Sequence, residues 1–279
     1  MRLIALHLRL TTTVTDLFNK ALSHGSKLVQ CFFITQGNNE YVSFAPGEIE
    51  ELIEKRKKYF VHAYIHASYW VNLAGARRNG WRTFMKEIDL ACKIGFTHII
   101  IHPGSGTGCR TKDEAIECLA KALNRAVERY PTMTILLENT AHGKMSVGGD
   151  LKDFQKLLTL LTEPDRIGFC IDSAHAYCYG YNIATVDGLK SFMDELEATI
   201  GMHRVQLIHL NDAHEKCGSR VDKHAVPGQG LIGKEALQNF MNYPGLENIP
   251  IILEIPALTD QEEIDVLNMV KSWSTSLKQ

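Results

Sequence analysis

THIIIHPGSGTGCRTKDEAIECLAKALNRAVERYPTMTILLE (97–138) contains one full period of a repeating unit. Its first six residues, THIIIH (97–102), are a β-branched apolar run that reads as a buried strand. In DEAIECLAKALNRAVERY (113–130) apolar residues recur at i, i+3, i+4 and i+7, which predicts an amphipathic helix. A second apolar run, MTILLE (133–138), follows it. Two near-continuous apolar strands joined through a helix predict parallel pairing, with the helix covering the sheet. Both runs end on a side chain able to bind a metal, His102 and Glu138, 36 positions apart.

The unit repeats outward in both directions. Further strand candidates are LIALHL (3–8), LVQCFF (28–33), FVHAYIH (60–66), IGFCID (167–172), VQLIHL (205–210) and PIILEI (250–255). DLKDFQKLLTLL (150–161) has helical periodicity with Asp150 placed to cap it. Eight strands alternating with helices is the number that closes a (β/α)8 TIM barrel, an α/β fold. An open doubly wound sheet is the alternative. No Pro/Gly/Ser-rich linker interrupts the chain, so residues 1–279 are read as a single domain, a length that α/β barrels reach as one unit.

Composition narrows the function. Thirty Lys and Arg against 32 Asp and Glu give a net charge of −2, which argues against a generic nucleic-acid coat but not against a site-specific DNA enzyme. Seven cysteines without CxxC spacing fit reduced thiols in the cytoplasm. No segment approaches the roughly 20 apolar residues of a membrane helix, and MRLIALHLRL (1–10) lacks a cleavage site, so strand is the better reading of it. There is no GxSxG elbow for a Ser-His-Asp triad and no phosphate-binding glycine loop.

In such barrels the active site gathers where the strands end. Six strand ends carry His66, His102, Glu138, Asp172, His209 and Glu254, the first five spaced by 36, 36, 34 and 37 residues, one βα unit each. Polar residues often end strands because the chain leaves the core there. That explains one or two of them, but not six that are all His, Asp or Glu. His175, in IDSAH (171–175), follows Asp172 through a turn that aims it at the barrel mouth. Asp222 and His224, in RVDKH (220–224), share one side of an extended segment. Nine candidates exceed what one ion uses, so two or three ions sharing a carboxylate fit the count. The imidazole–carboxylate mixture favours zinc, with manganese or iron as substitutes. The other histidines take plainer readings: His62 and His98 as core or interlayer residues, and His24, His142 and His203 as solvated; His214 is near the site but has no spacing partner and is left out of the ligand set.

HASYWVNLA (66–74), IIIHPGS (99–105), LLENTA (136–141), GFCIDSAHAY (168–177), HLNDAHEKCGSRVDKH (209–224) and ILEIP (252–256) resemble the signature blocks of the endonuclease IV family of apurinic/apyrimidinic endonucleases. The resemblance runs through almost the whole chain in order, and the pairing of HLND with GSRVDKH is its most specific part. It implies a TIM barrel with a trinuclear zinc site at the C-terminal ends of the strands. One ion would be held by His66, His102 and Glu138. A second would share Glu138 and add Asp172, His209 and Glu254. The third would take His175, Asp222 and His224. It also implies hydrolysis 5′ to abasic sites in duplex DNA by a metal-bridged hydroxide, with Glu138 catalytic as the bridging carboxylate. The products would be a 3′-hydroxyl and a 5′-deoxyribose phosphate, with 3′-phosphatase and 3′-phosphodiesterase activity alongside.

Tyr69 and Trp70 match the family's stacking pair, and Arg220 and Lys223 are candidates for phosphate contacts. Two stretches depart from the pattern. HLRLTTT follows at His7 where the family has a His-Val-Ser type stretch and two glycines, and TQGNNEYVSFAP (35–46) lacks the basic-plus-aromatic character that members use to enter DNA. Damaged duplex DNA is thus the expected partner of a cytoplasmic, monomeric enzyme with no organic cofactor. A sugar isomerase on the same barrel would need only Glu138, Asp172, His209 and Glu254. A binding module without activity would need none of the nine.

Overall fold

Ten strands and nine α-helices follow one another in the computed structural model, which describes residues 2–34, 40–77 and 79–274. The chain runs β1 (Ile4–Leu8), α1 (Val14–Ser23), β2 (Leu28–Cys31), α2 (Glu48–Tyr59), β3 (His62–His66), α3 (Asn79–Lys93), β4 (His98–Ile101) and α4 (Lys112–Arg129). It continues through β5 (Thr134–Glu138), α5 (Leu151–Leu158), β6 (Ile167–Asp172), α6 (Ser173–Tyr179), α7 (Val186–Thr199) and β7 (Val205–His209). The last elements are β8 (Asp212–Ala213), β9 (His224–Ala225), α8 (Lys234–Met241), β10 (Ile251–Leu253) and α9 (Asp260–Lys271). Eight strands pair in parallel around a closed barrel in the order β1-β10-β7-β6-β5-β4-β3-β2. Apart from it, β8 and β9 form a two-stranded antiparallel ribbon. The closed barrel excludes the open doubly wound sheet.

Local chemistry places the helices where periodicity predicts them. The 113–130 pattern is α4, capped by Thr111, whose side chain accepts from Glu114 N–H. The 150–161 pattern becomes α5, shorter at its C-terminal end, with Asp150 accepting from Lys152 N–H at the N-cap. A reciprocal capping box between Thr259 and Glu262 starts α9. Apart from β6, which spans all of IGFCID, the barrel strands are shorter than the apolar runs that predict them. LVQCFF pairs only through Cys31, and His102 and Glu254 lie one residue beyond the ends of β4 and β10.

Strand parity decides what the barrel encloses. One buried side chain from each barrel strand forms an inner layer: Ala5, Leu28, Tyr64, Ile100, Leu136, Cys170, Leu207 and Ile252. The larger cluster lies outside it, between strands and helices. Two positions further along each strand, alternation returns the chain to the interior, and there stand His7, Gln30, His66, His102, Glu138, Asp172, His209 and Glu254. All eight are polar. The upper interior layer is therefore a ring of ligand-type side chains on an apolar floor.

At the opposite, N-terminal mouth, His62 and His98 face each other with ring centroids 4.9 Å apart, half-buried, beside Tyr64. Burial, reinforced by His62, pushes the His98 imidazolium down to about 4. A His with a depressed folded pKa leaves stability intact above about 6.5, where it is neutral folded or unfolded. As pH falls from there towards 4 the unfolded chain takes up a proton that the folded one refuses. Acid unfolding should therefore lose about 2 kcal/mol between these limits through His98. The measurement is denaturant unfolding at pH 7 and pH 4.5. His98→Gln should reduce the loss by that amount, and an identical loss in the variant would count against this assignment.

His24 differs from its solvated reading. It is 8% exposed, with its ring 3.8 Å from Glu263 of α9, because α9 packs back over the start of the barrel and covers the α1 C-terminus. His203 is exposed, as expected of a loop position. All seven cysteines are free thiols. Among the described residues no helix is long and apolar enough to cross a membrane.

Candidate metal centre

Glu138, fully buried at the end of β5, organises the ring. Its two oxygens serve different neighbours. Oε2 lies 3.0 Å from His66 Nε2 and 3.2 Å from His102 Nε2. Oε1 lies 2.9 Å from His209 Nδ1 and 3.4 Å from His175 Nδ1. A carboxylate facing two sets of imidazoles has the disposition of a bridging ligand.

The rest of the set divides around it. Glu138, Asp172, His209 and Glu254 offer ligand atoms that all lie within 4.8 Å of one another, which is the group expected for the second ion. His175 Nε2 approaches Asp222 Oδ2 at 3.1 Å, and His224 Nε2 approaches Asp222 Oδ1 at 3.3 Å, bringing the third group together. Asp172 also reaches this group, 3.6 Å from His224 Nε2. His175 sits on the short helix α6 rather than in a turn. Asp172 caps that helix and accepts from His175 N–H at 2.7 Å, so one residue both ends the strand and fixes the next candidate ligand.

Two observations test whether these residues fit a metal. First, backbone carbonyls set the tautomers. His66 Nδ1 donates to Ala67 O, His175 Nδ1 to Asn139 O and His224 Nδ1 to Glu254 O, at 2.8, 2.8 and 3.1 Å. Each Nε2 lone pair is thereby presented to the cavity, the arrangement of ligating histidines. Second, the buried Nε2 atoms of His175 and His224 have no hydrogen-bond partner although Asp222 is close to both. These close pairs, 3.1 and 3.3 Å apart, lack the angles of a hydrogen bond and leave both groups able to take a shared cation. The residues fit.

Electrostatics agree. Burial alone would lower the His66 imidazolium, but the Glu138 hydrogen bond and charge outweigh it and raise it to about 9. His224 is likewise lowered by burial and raised by Asp172 and Asp222, reaching about 9. Burial would raise the Glu138 and Asp222 carboxyls, yet neighbouring histidines hold both well below the usual carboxylate range. Positive charge is what this ring selects, and divalent ions can replace the protons the histidines hold.

The ring floors a cavity of about 700 Å³, whose walls include Arg9, Phe32, Tyr69, His142 and Lys223. Tyr69 and Trp70 are 81% and 56% exposed, so Trp70 stands clear of its own loop. Arg220 holds its backbone at φ 63°, with its guanidinium carbon 3.6 Å from the Tyr179 ring centroid. His142, read as solvated, is exposed but lines the cavity, its Nδ1 3.2 Å from Arg220 O. His214 is exposed and outside this lining. Residues 35–39 of the segment read as departing from the family lie outside the described residues.

Four supporting residues escape a search confined to strand ends. His7 Nδ1 lies 3.2 Å from Glu254 Oε1, and the Gln30 amide donates to the same oxygen at 3.0 Å. Asn211 donates to Asp172 Oδ2 at 2.5 Å and accepts from Glu254 N–H at 2.7 Å. Asp212, fully buried, accepts from five backbone N–H groups, that of its neighbour Ala213 and those of Gly228, Gly230, Ile232 and Gly233, which follow the stretch that carries Asp222 and His224. Interior parity would have found His7 and Gln30. Asn211 and Asp212 lie past the strand, where no period applies.

Residues 18–272 match the family model described as the xylose isomerase-like TIM barrel. The structure superposes on a D-tagatose 3-epimerase-like protein with a TM-score of 0.72 at 18% identity, over 97% of this chain and 96% of that one, a likeness of fold alone. Endonuclease IV from Thermus thermophilus is nearer, with a TM-score of 0.83 at 30% identity over 97% of this chain and 98% of that one. The probable endonuclease 4 of Campylobacter concisus (strain 13826) is 30% identical over 275 residues, 96% of this chain and 97% of that protein. Likeness that runs from end to end, in sequence as well as fold, separates this chain from the sugar-epimerase branch of the barrel: it belongs to the endonuclease IV family.

Proposed function

We propose that residues 1–279 form one domain that incises duplex DNA 5′ to abasic sites, leaving a 3′-hydroxyl and a 5′-deoxyribose phosphate, and trims 3′-phosphates and 3′-phosphodiesters at the same site. The carrying observation is that Glu138 and the eight other candidate ligands, supplied by six βα units, cluster at one mouth of the barrel, where six of them line a single cavity. The name of a relative in Plasmodium falciparum (isolate 3D7), apurinic-apyrimidinic endonuclease 1, supports the substrate class; it is 31% identical over 252 residues, 87% of this chain and 42% of that protein.

Three zinc ions are the proposed cofactors, with manganese or iron able to substitute, in the sets His66–His102–Glu138, Glu138–Asp172–His209–Glu254 and His175–Asp222–His224. Bound there, divalent cations supply a water of lowered pKa and positive charge for the phosphate. Glu138 holds two of the sets in register. Asn211 and His7 orient Asp172 and Glu254 towards the cavity. Tyr69 and Trp70 enter the minor groove and occupy the space left by the missing base, because an abasic nucleotide has lost the stacking and pairing that resist its rotation out of the duplex. Arg220 and Lys223 contact phosphates that position the strand. The enzyme works as a cytoplasmic monomer.

The test is incision of a labelled duplex carrying one abasic analogue that resists β-elimination, beside an undamaged control. One cut 5′ to the lesion, lost on chelation and restored by zinc, is the expected result. No cut from folded protein holding three zincs per chain would overturn it.

A further inference from the structure

Glu87 of α3 is 2% exposed, outside the ring of ligand-type residues, and its carboxylate is spent on two loops. Oε2 accepts from Ser68 N–H at 2.9 Å, and Oε1 accepts from the Ser68 hydroxyl at 2.5 Å. Oε1 also accepts from the Tyr41 hydroxyl at 3.2 Å. Ser68 immediately precedes the exposed pair Tyr69–Trp70, and its carbonyl accepts from Val71 N–H at 2.9 Å, closing the turn on which both rings stand. Tyr41 belongs to the segment between β2 and α2, where it bridges Ile34 and lies under Lys86 Nζ, 3.6 Å from its ring centroid. The same helix meets the far side of the turn at Gly80, where an added Cβ would stand 2.2 Å from Asn72 O.

A buried carboxylate is expensive to keep away from water unless every lone pair is answered. Here the answers come from one turn and one neighbouring segment, both on the cavity's rim. An exposed two-ring turn without such an anchor would lose conformational freedom on entering a duplex and bind more weakly for it.

We propose that Glu87 is a positioning residue for DNA: it fixes the Tyr69–Trp70 turn in its inserting conformation through Ser68, and ties that turn to the β2–α2 segment through Tyr41. The proposal rests on the reading of Tyr69 and Trp70 as a wedge. Glu87 touches neither metal nor substrate, so its effect appears in how the lesion is opened.

The test uses zinc-loaded full-length protein and a duplex with 2-aminopurine beside an abasic analogue. In Glu87→Ala, kcat/KM for incision should fall about tenfold, equivalent to about 1.4 kcal/mol. The fluorescence rise on binding should shrink with it, while zinc content stays at the wild-type value. Glu87→Gln keeps an acceptor for Ser68 N–H and should lie between, as should Tyr41→Phe, which removes only the link between loops. In a Tyr69→Ala, Trp70→Ala background Glu87→Ala should add nothing, because the residue acts through those rings. Loss of zinc in step with activity, or undiminished incision in Glu87→Ala, overturns the assignment. Should Glu87→Ala fail to fold, Glu87→Gln and Tyr41→Phe decide, and wild-type fluorescence in both overturns it. If Tyr69→Ala, Trp70→Ala itself incises normally, the wedge reading falls and the anchor with it.

Discussion

Glu138→Gln should incise an abasic duplex at least about 10³-fold more slowly than the parent protein, with the barrel intact. Glutamine has nearly the volume of glutamate, so the fully buried position is filled without strain. What changes is the pair of oxygens. Oε2 stands against His66 and His102, and Oε1 against His209 and His175. An amide keeps one acceptor and turns two N–H donors towards the other imidazoles, so no orientation serves both sets. It also removes the negative charge that holds the His66 imidazolium up near 9. Zinc content by atomic emission should fall together with the incision rate. A variant that keeps its full zinc and comes within tenfold of the parent rate would remove Glu138 from the bridging role.

How much of this is legible in the sequence follows from periodicity. Apolar runs ending in His, Glu or Asp repeat once per βα unit, so the barrel and six of the ring residues can be read together, as can the helix cap at Asp150. The ring is more complete than strand ends suggest, because parity fills the remaining interior positions with His7 and Gln30. Those escape because β1 and β2 continue one residue beyond them, to Leu8 and Cys31, and so do not end on a polar side chain. His24 departs from its solvated reading for a different reason: α9, far away in sequence, supplies its cover. Glu87 is of the same kind. It reads as one more charged residue on an amphipathic helix, and only the folded path of Ser68 and Tyr41 shows that its carboxylate faces inward. Local pattern reports which residues are near a strand end; long-range contact decides what holds them.

The segment after β7 carries the second large effect. Asp212→Asn should destabilise the protein by about 3 kcal/mol and weaken the site that includes Asp222 and His224. Asp212 Oδ1 accepts from the N–H groups of Ala213, Ile232 and Gly233, and Oδ2 from those of Gly228 and Gly230, at 2.9 to 3.3 Å. Two segments are closed by this one side chain, and between them runs the stretch that delivers Asp222 and β9 to the cavity. Charge-assisted bonds to backbone amides are among the stronger ones in a protein interior. An asparagine can satisfy one oxygen's partners, but its NH2 then opposes the two glycine N–H groups, leaving both donors unanswered. Gly230 lies close against this side chain, since a Cβ added to it would stand 2.5 Å from Asp212 Oδ1. Denaturant unfolding should show the lower stability. Zinc titration should show one weakened site per chain while the two shared by Glu138 retain their affinity. Equal weakening at all three sites would mean that Asp212 supports the barrel as a whole, and parent-like stability would mean that the amide is accommodated after all.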